Sequence, residues 1–240
     1  MLLDALAPAV AELADQVTIT VSEDGHVSAV WGEENLTGNS LKVSSELSAL
    51  LYKSAHARLD HNKALAPRTF ADPEFDSTFH TAVGDKTTRR EVNVVEEGRE
   101  ATIVALDNVR ITVPPESLSH GGGKTYLRLS WARPSLSPGF FFLTSCETPM
   151  PRRTGGLLRL YAHVAEPDHA PALLAQTATY LEGRRLPWQA KASSSRELYP
   201  RTDAVVVYLP RVSWNAAREL AQVLETAAIS RRAPPPSPTP

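Results

Sequence analysis

The run Leu157–Val164, LLRLYAHV, alternates along its whole length: Arg159, Tyr161 and His163 fall on one side, and Leu158, Leu160, Ala162 and Val164 on the other. That is the signature of a half-buried strand. Ala170–Leu181, APALLAQTATYL, then carries an amphipathic helical pattern, and Leu186–Lys191, LPWQAK, is a short strand that ends on a lysine. Ala204–Leu209, AVVVYL, is apolar on both faces and reads as a buried strand. Strand, helix and strand in this order predict a crossover helix that returns the chain to the same sheet. The expected fold class is α+β: a mixed, largely antiparallel sheet or sheets with flanking helices, in a single compound domain. A lysine and an arginine on neighbouring strands, Lys191 and Arg159, can bind an anion or, once desolvated, supply a base. The competing reading is ordinary surface charge.

Working outward, the first 16 residues read as an amphipathic helix. Val17–Val21 and His26–Trp31 flank Ser22-Glu23-Asp24-Gly25, a hairpin signal with Asp-Gly in the turn. Ser40–Ala57 has helical spacing in Leu41, Leu47, Leu50, Leu51 and Ala55. An exposed connection broken by Pro67 and Pro73 follows, then a short helix over Pro73–Ala82. Thr102–Leu106 and Val109–Val113 surround Asp107-Asn108 as a second hairpin, ended by Pro114-Pro115. Lys124–Trp131 and Phe140–Leu143 read as strands, and Ser213–Ala228 as the last helix, with Ser213 as its cap. The expected organisation is an N-terminal helix, hairpin and helix over 1–57, an α+β domain over 58–230, and a disordered proline-rich tail over 231–240. The exposed edge of Thr18–Val21 or Val27–Trp31 offers a place for an extended peptide to add as a strand.

Composition narrows the function. Twenty-five Lys and Arg against 27 Asp and Glu give a formal net charge of -2, so no global basic field recruits nucleic acid, and an anion site has to be local. The single cysteine, Cys146, excludes an intrachain disulfide and makes a thiolate metal site implausible, which fits a reducing, cytoplasmic setting. No apolar run approaches the roughly 20 residues of a membrane helix, and Asp4 interrupts what would be the core of a secretory signal. The expectation is no nucleic acid, no membrane, no metal and no organic cofactor.

Two basic clusters stand out. Gly84-Asp85-Lys86-Thr87-Thr88-Arg89-Arg90 carries three cations in five residues, enough to hold a phosphate dianion, with a solvated loop as the alternative. Lys124 and Arg128 share the polar side of one strand after Gly121-Gly122-Gly123. Gly123-Lys124-Thr125 is no phosphate loop, because the required glycine five positions earlier is Leu118 and a strand follows instead of a helix. The seven histidines form no close pair with a carboxylate, and no Gly-x-Ser-x-Gly elbow occurs. His80 and His120 stay open as proton donors or as structural groups.

Several of these pieces resemble the HopA-type effector-like family: Val113-Pro114-Pro115-Glu116, Ser137-Pro138-Gly139-Phe140, Arg159-Leu160-Tyr161, Trp188-Gln189-Ala190-Lys191, Tyr199-Pro200-Arg201-Thr202-Asp203-Ala204 and Tyr208-Leu209-Pro210-Arg211. The resemblance spans about Leu47 to Arg211. It implies a role in maturing ribosomally made peptides of the lanthipeptide and thioamitide kinds. There, a kinase-like phosphotransferase phosphorylates serine or threonine in the core of a precursor peptide, and the HopA-like partner eliminates phosphate to leave dehydroalanine or dehydrobutyrine. Such a lyase needs a base for the Cα proton, cations for the departing phosphate and an acid for the leaving oxygen. The residues this chain offers are Lys191 or Lys86 as base and Arg159, Arg89 and Arg90 for phosphate. His80 or His120 would be the acid, with Lys124 and Arg128 along the peptide path. Two other readings stand beside it: a non-catalytic subunit that engages the kinase or the leader peptide, and an effector that binds a host protein.

Overall fold

Two strands that both run antiparallel to a third necessarily run parallel to each other, and this relationship organises the larger part of the protein. The computed structural model describes residues 2–58, 72–134, 136–151 and 155–229. The chain divides into two units, Met1–Lys63 and Ala64–Pro240. The sequence-predicted connection around Pro67 and the proline-rich tail lie outside the described residues.

In the first unit, helix α1 (Leu2–Asp15) precedes strands β1 (Val17–Val21), β2 (Val27–Trp31) and β3 (Glu34–Gly38), and helix α2 (Ser40–Leu51) continues into a π-helical turn, Tyr52–His56. The sheet order is β1-β2-β3. The third strand was not expected, and it makes β2 central, so Val27–Trp31 is no edge and cannot receive an added strand. Asn39 caps α2 by accepting from the Lys42 amide at 2.9 Å. Val27, Ala29 and Val43 form a small core with Leu36 and Leu47.

The second unit opens with α3 (Pro73–Val83), capped by Asp72, whose carboxylate accepts from the Phe75 amide at 2.9 Å. Phe75, Phe79 and Val83, four residues apart, are its buried stripe. Next come β4 (Thr87–Glu96), β5 (Thr102–Leu106), β6 (Val109–Val113), β7 (Leu118–Gly121) and β8 (Lys124–Ser130), in an antiparallel sheet of order β6-β5-β4-β8-β7. The basic cluster that ended in Arg90 is therefore strand from Thr87 onward. Asp107 and Asn108 both take positive φ in the β5–β6 turn, as do Gly122 and Gly123 between β7 and β8.

A second sheet contains β9 (Phe140–Thr144), β10 (Leu157–Val164), β11 (Gln189–Ser193) and β12 (Arg201–Pro210), ordered β10-β12-β11-β9 and antiparallel throughout. Helix α4 (Ala170–Gly183) makes the crossover from β10 to β11, but β12 lies between them, so the strands bearing Arg159 and Lys191 are not neighbours. The last helix, α5 (Ala217–Ile229), starts after a 3-10 stretch, Arg211–Ala216. Ser213 is consequently not its cap. Its buried hydroxyl donates to the Pro187 carbonyl at 2.8 Å.

Register divides this sheet into two faces. Phe141, Leu143, Ala190, Ala192, Val205, Val207 and Leu209 pack with Phe75 and Phe79 of α3, Leu174 and Leu181 of α4 and Leu220 of α5 in one core. The other face is left without helices among the described residues and carries the polar and aromatic side chains. The fold is α+β, with every described strand pair antiparallel.

Candidate functional site

The alternation of LLRLYAHV places Arg159 and Tyr161 on the helix-free face, and strand pairing extends that face sideways. Arg159 pairs with Tyr208, Tyr208 with Gln189, and Gln189 with Thr144, so these four side chains form one row across the sheet. In the next row Tyr161, Val206, Lys191 and Phe142 follow one another. With strands about 4.8 Å apart and about 3.3 Å per residue, Arg159 stands some 10 Å from Gln189 along the row, and Lys191 starts roughly 7 Å from Gln189 along its strand.

Both cations rest on rings. The Lys191 ammonium lies 3.7 Å from the centroid of Phe140, and the Arg159 guanidinium 5.9 Å from that of Tyr208. Burial raises the Tyr208 phenol above its ordinary value, with Arg159 opposing, so the hydroxyl stays protonated at neutral pH.

At the Gln189 end, this face runs into a cavity of about 510 Å3. Thr144 and Gln189 line it from the second sheet, Thr88, Arg90 and Leu129 from the first, and Arg133 from the connection between them. Arg133 is anchored by its backbone amide, which donates to the Phe142 carbonyl at 2.8 Å, and by Nε, which donates to the Ser130 carbonyl at 3.2 Å. Burial, and then the charge of Arg90, hold the Arg133 guanidinium below its ordinary value. Arg90 is partly balanced by Asp107, Nη2 to Oδ2 at 3.1 Å. The cavity lining thus combines two guanidiniums, the Asp107 carboxylate paired with one of them, and the hydroxyl-bearing Thr88, Thr144 and Ser145.

The remaining sequence-predicted residues fall elsewhere. Neighbours on a strand point to opposite faces, so Arg89 leaves Arg90 and lies directly across from Arg128 on the outer face of the first sheet. Lys124 on that face binds Glu91, Nζ to Oε2 at 2.8 Å, and Arg128 donates to the Glu116 carbonyl. His120 contacts the Thr125 hydroxyl at 3.1 Å on the β7–β8 hairpin. Lys86 lies over Trp131, 4.7 Å from the ring centroid. His80 stands edge-on to Phe141 at 4.9 Å, on the helix-packed side of the sheet, opposite to Lys191. Lys191 and Arg159 thus share a sheet face with Gln189, and Gln189 shares the cavity with Arg90; neither Lys191 nor Arg159 lines that cavity, and the other expected residues lie apart. A second cavity, about 810 Å3, opens in the first unit beside Trp31, Glu33, Glu34 and Leu50, and none of the expected residues reaches it.

Sequence reasoning missed Gln189, Tyr208 and Arg133. Gln189 and Lys191 are two apart on a strand, so alternation already placed them side by side; Tyr208 required the register, and nothing local distinguished Arg133. Among the described residues no group of His, Cys, Asp and Glu gathers as a metal site, and no helix is long and apolar enough to cross a membrane.

Fold and site together define an α+β protein with a sheet face that carries cations and aromatic rings, beside a cavity lined by Arg90, Asp107 and Arg133. Residues 131–237, just under half of the chain, match the HopA1 effector protein family, which supports a likeness to HopA-type effector-like proteins. No curated protein matches the chain. The matched segment contains Arg133, Arg159, Gln189, Lys191 and Tyr208, whereas Lys86, Arg89, Arg90, His80, His120, Lys124 and Arg128 lie before it.

Proposed function

We propose that this protein is a metal-independent lyase that removes phosphate from phosphoserine or phosphothreonine in a precursor peptide, producing dehydroalanine or dehydrobutyrine in concert with a kinase-like phosphotransferase. The observation that carries the reading is the pairing of Arg90 with Arg133 around one partly buried cavity. Two like charges partly withdrawn from water attract an anion; Asp107 already balances Arg90, which leaves Arg133 as the guanidinium for an incoming phosphate. A phosphate ester there leaves its Cα on the sheet face, toward Lys191. Removal of the Cα proton by the lysine amine sends the electron pair into a Cα–Cβ double bond; the Cβ–O bond breaks and the phosphate departs with its bonding electrons, stabilised by the guanidiniums. Tyr208, in the same row as Gln189, supplies a protonated phenol as the acid for the leaving oxygen. The HopA1 family match is compatible with this reading, and the proposed role in peptide maturation implies a cytoplasmic setting.

One contact favours the alternative, a non-catalytic subunit that grips a phosphorylated precursor for its kinase. A ring face attracts an ammonium and not a free amine, so Lys191 seated on Phe140 is a binding cation until substrate draws it away. Intact mass of a synthetic phosphothreonine peptide separates the two readings. The lyase produces loss of phosphoric acid with the purified protein alone; loss confined to mixtures with the kinase supports an accessory role, and no loss in either rejects the lyase and leaves the binding module.

A further inference from the structure

We infer that the free edge of β10 is the peptide dock of this protein, where an extended phosphopeptide adds to the sheet as a strand antiparallel or parallel to Leu157–Val164. The inference rests on the phosphopeptide reading above and supplies its recognition mode. In the four-stranded sheet β10 and β9 are the outer strands. The β9 side is occupied by the bridges Ala132 to Leu143 and Ser137 to Phe140, whereas among the described residues nothing pairs with the outer side of β10.

Proteins ordinarily blunt such an edge by shortness, proline, lysine or bulges. This one has eight residues, no proline, a single charged side chain in Arg159, and a register irregularity only at its far end, between Ala162 and Val164. A long unprotected edge of this kind is either a liability or a docking strand.

Both faces beside the edge are built for alternate side chains. Toward the helices a cavity of about 250 Å3 opens beside β10, lined by Leu160, Ala162, Leu173, Ala221 and Leu224 together with Tyr161, His163 and Glu225. On the other side stand Arg159 and Tyr161, exposed, in the rows that lead across Tyr208 and Val206 to Gln189 and Lys191. In an added strand, one set of side chains therefore meets an apolar pocket while the intervening set meets a guanidinium and aromatic rings. An anionic side chain complements Arg159; the Arg90–Arg133 cavity opens at the other side of the sheet, three strand spacings or about 14 Å from the docked strand to β11, so a phosphorylated residue reaches it only where the peptide leaves the edge and crosses the face. The edge of β1 has only five residues and borders none of the expected site residues.

The test is hydrogen exchange and binding with one defined probe, a heptapeptide of alternating valine and threonine with a central phosphothreonine, and with two versions N-methylated at alternate backbone amides. Strand addition predicts slowed exchange across Leu157–Val164 on binding and a loss of affinity of at least about tenfold for one N-methylated version but not the other. Equal affinity for both methylated versions, or protection at β1 in place of β10, overturns the proposal. So does protection of β10 that grows with protein concentration in the absence of peptide, which assigns the edge to a second copy of the chain. Protected β10 without phosphate loss keeps the dock and removes the lyase; phosphate loss with β10 unprotected does the reverse.

Discussion

Arg90 and Arg133 reach the same cavity from different parts of the chain, and their mutual repulsion contributes to holding Arg133 below its ordinary value. Removing one charge therefore relaxes the empty protein while weakening its grip on phosphate. Arg133→Gln is expected to leave the melting temperature unchanged or slightly raised, and to lower kcat/KM on the phosphothreonine peptide by about 100-fold, the scale of a lost charge-assisted contact in the transition state. A variant of wild-type activity removes the cavity from the mechanism.

Lys191 and Lys86 were indistinguishable as candidate bases by residue type, and the structure separates them. Lys191 shares a sheet face with Arg159 and Gln189, whereas Lys86 lies over Trp131 beyond the strands of that face. Lys191→Met is expected to reduce elimination by roughly 100- to 10,000-fold with folding intact, the range for loss of a positioned base, and Lys86→Met to retain turnover within about threefold, since it removes no contact on that face. Single-turnover mass spectrometry of both variants checks this, and equal losses would contradict it.

The Arg201-Thr202-Asp203 piece of the resemblance supports structure, not chemistry. Arg201 Nε and Asp203 Oδ1 are 2.6 Å apart with each side chain 5% exposed. Removing one partner strands a buried charge, so Asp203→Ala is expected to destabilise the protein by about 3–5 kcal/mol. Urea unfolding measures the cost; a change below about 1 kcal/mol would mean that the pair is solvated.

Asp76 lends the protein a pH dependence. Burial raises its carboxyl, against the opposing effects of the Ser194 hydroxyl and His80. A raised carboxyl binds its proton more tightly in the folded state, so its contribution is most favourable below the ordinary carboxylate range and is lost as pH rises through it. Asp76→Asn is therefore expected to melt higher than wild type at pH 7, with the gap narrowing toward pH 3. Differential scanning calorimetry at the two values decides it, and a gap that widens in acid overturns the sign.

Much of the fold was legible locally. Period-two alternation in LLRLYAHV, the Asp107-Asn108 turn pair and the four-residue stripe of Phe75, Phe79 and Val83 each depend on neighbours within a few positions, and each element formed near the place its pattern indicated. The misplaced Ser213 cap has the same local origin: serine before a helical stripe looks like a cap, but a buried carbonyl at Pro187 claimed its hydroxyl.

The candidate site was only half legible, for a physical reason. The residues on one strand share a face by covalent geometry alone, so Arg159 with Tyr161, and Gln189 with Lys191, followed from the sequence by itself. Which strands adjoin is set by register and by burial against α3, α4 and α5, and these are properties of the whole core. Only the tertiary structure inserted β12 between Arg159 and Lys191 and brought Arg133 to the same cavity as Arg90, because the energy that fixes those placements comes from packing surfaces far apart in the chain.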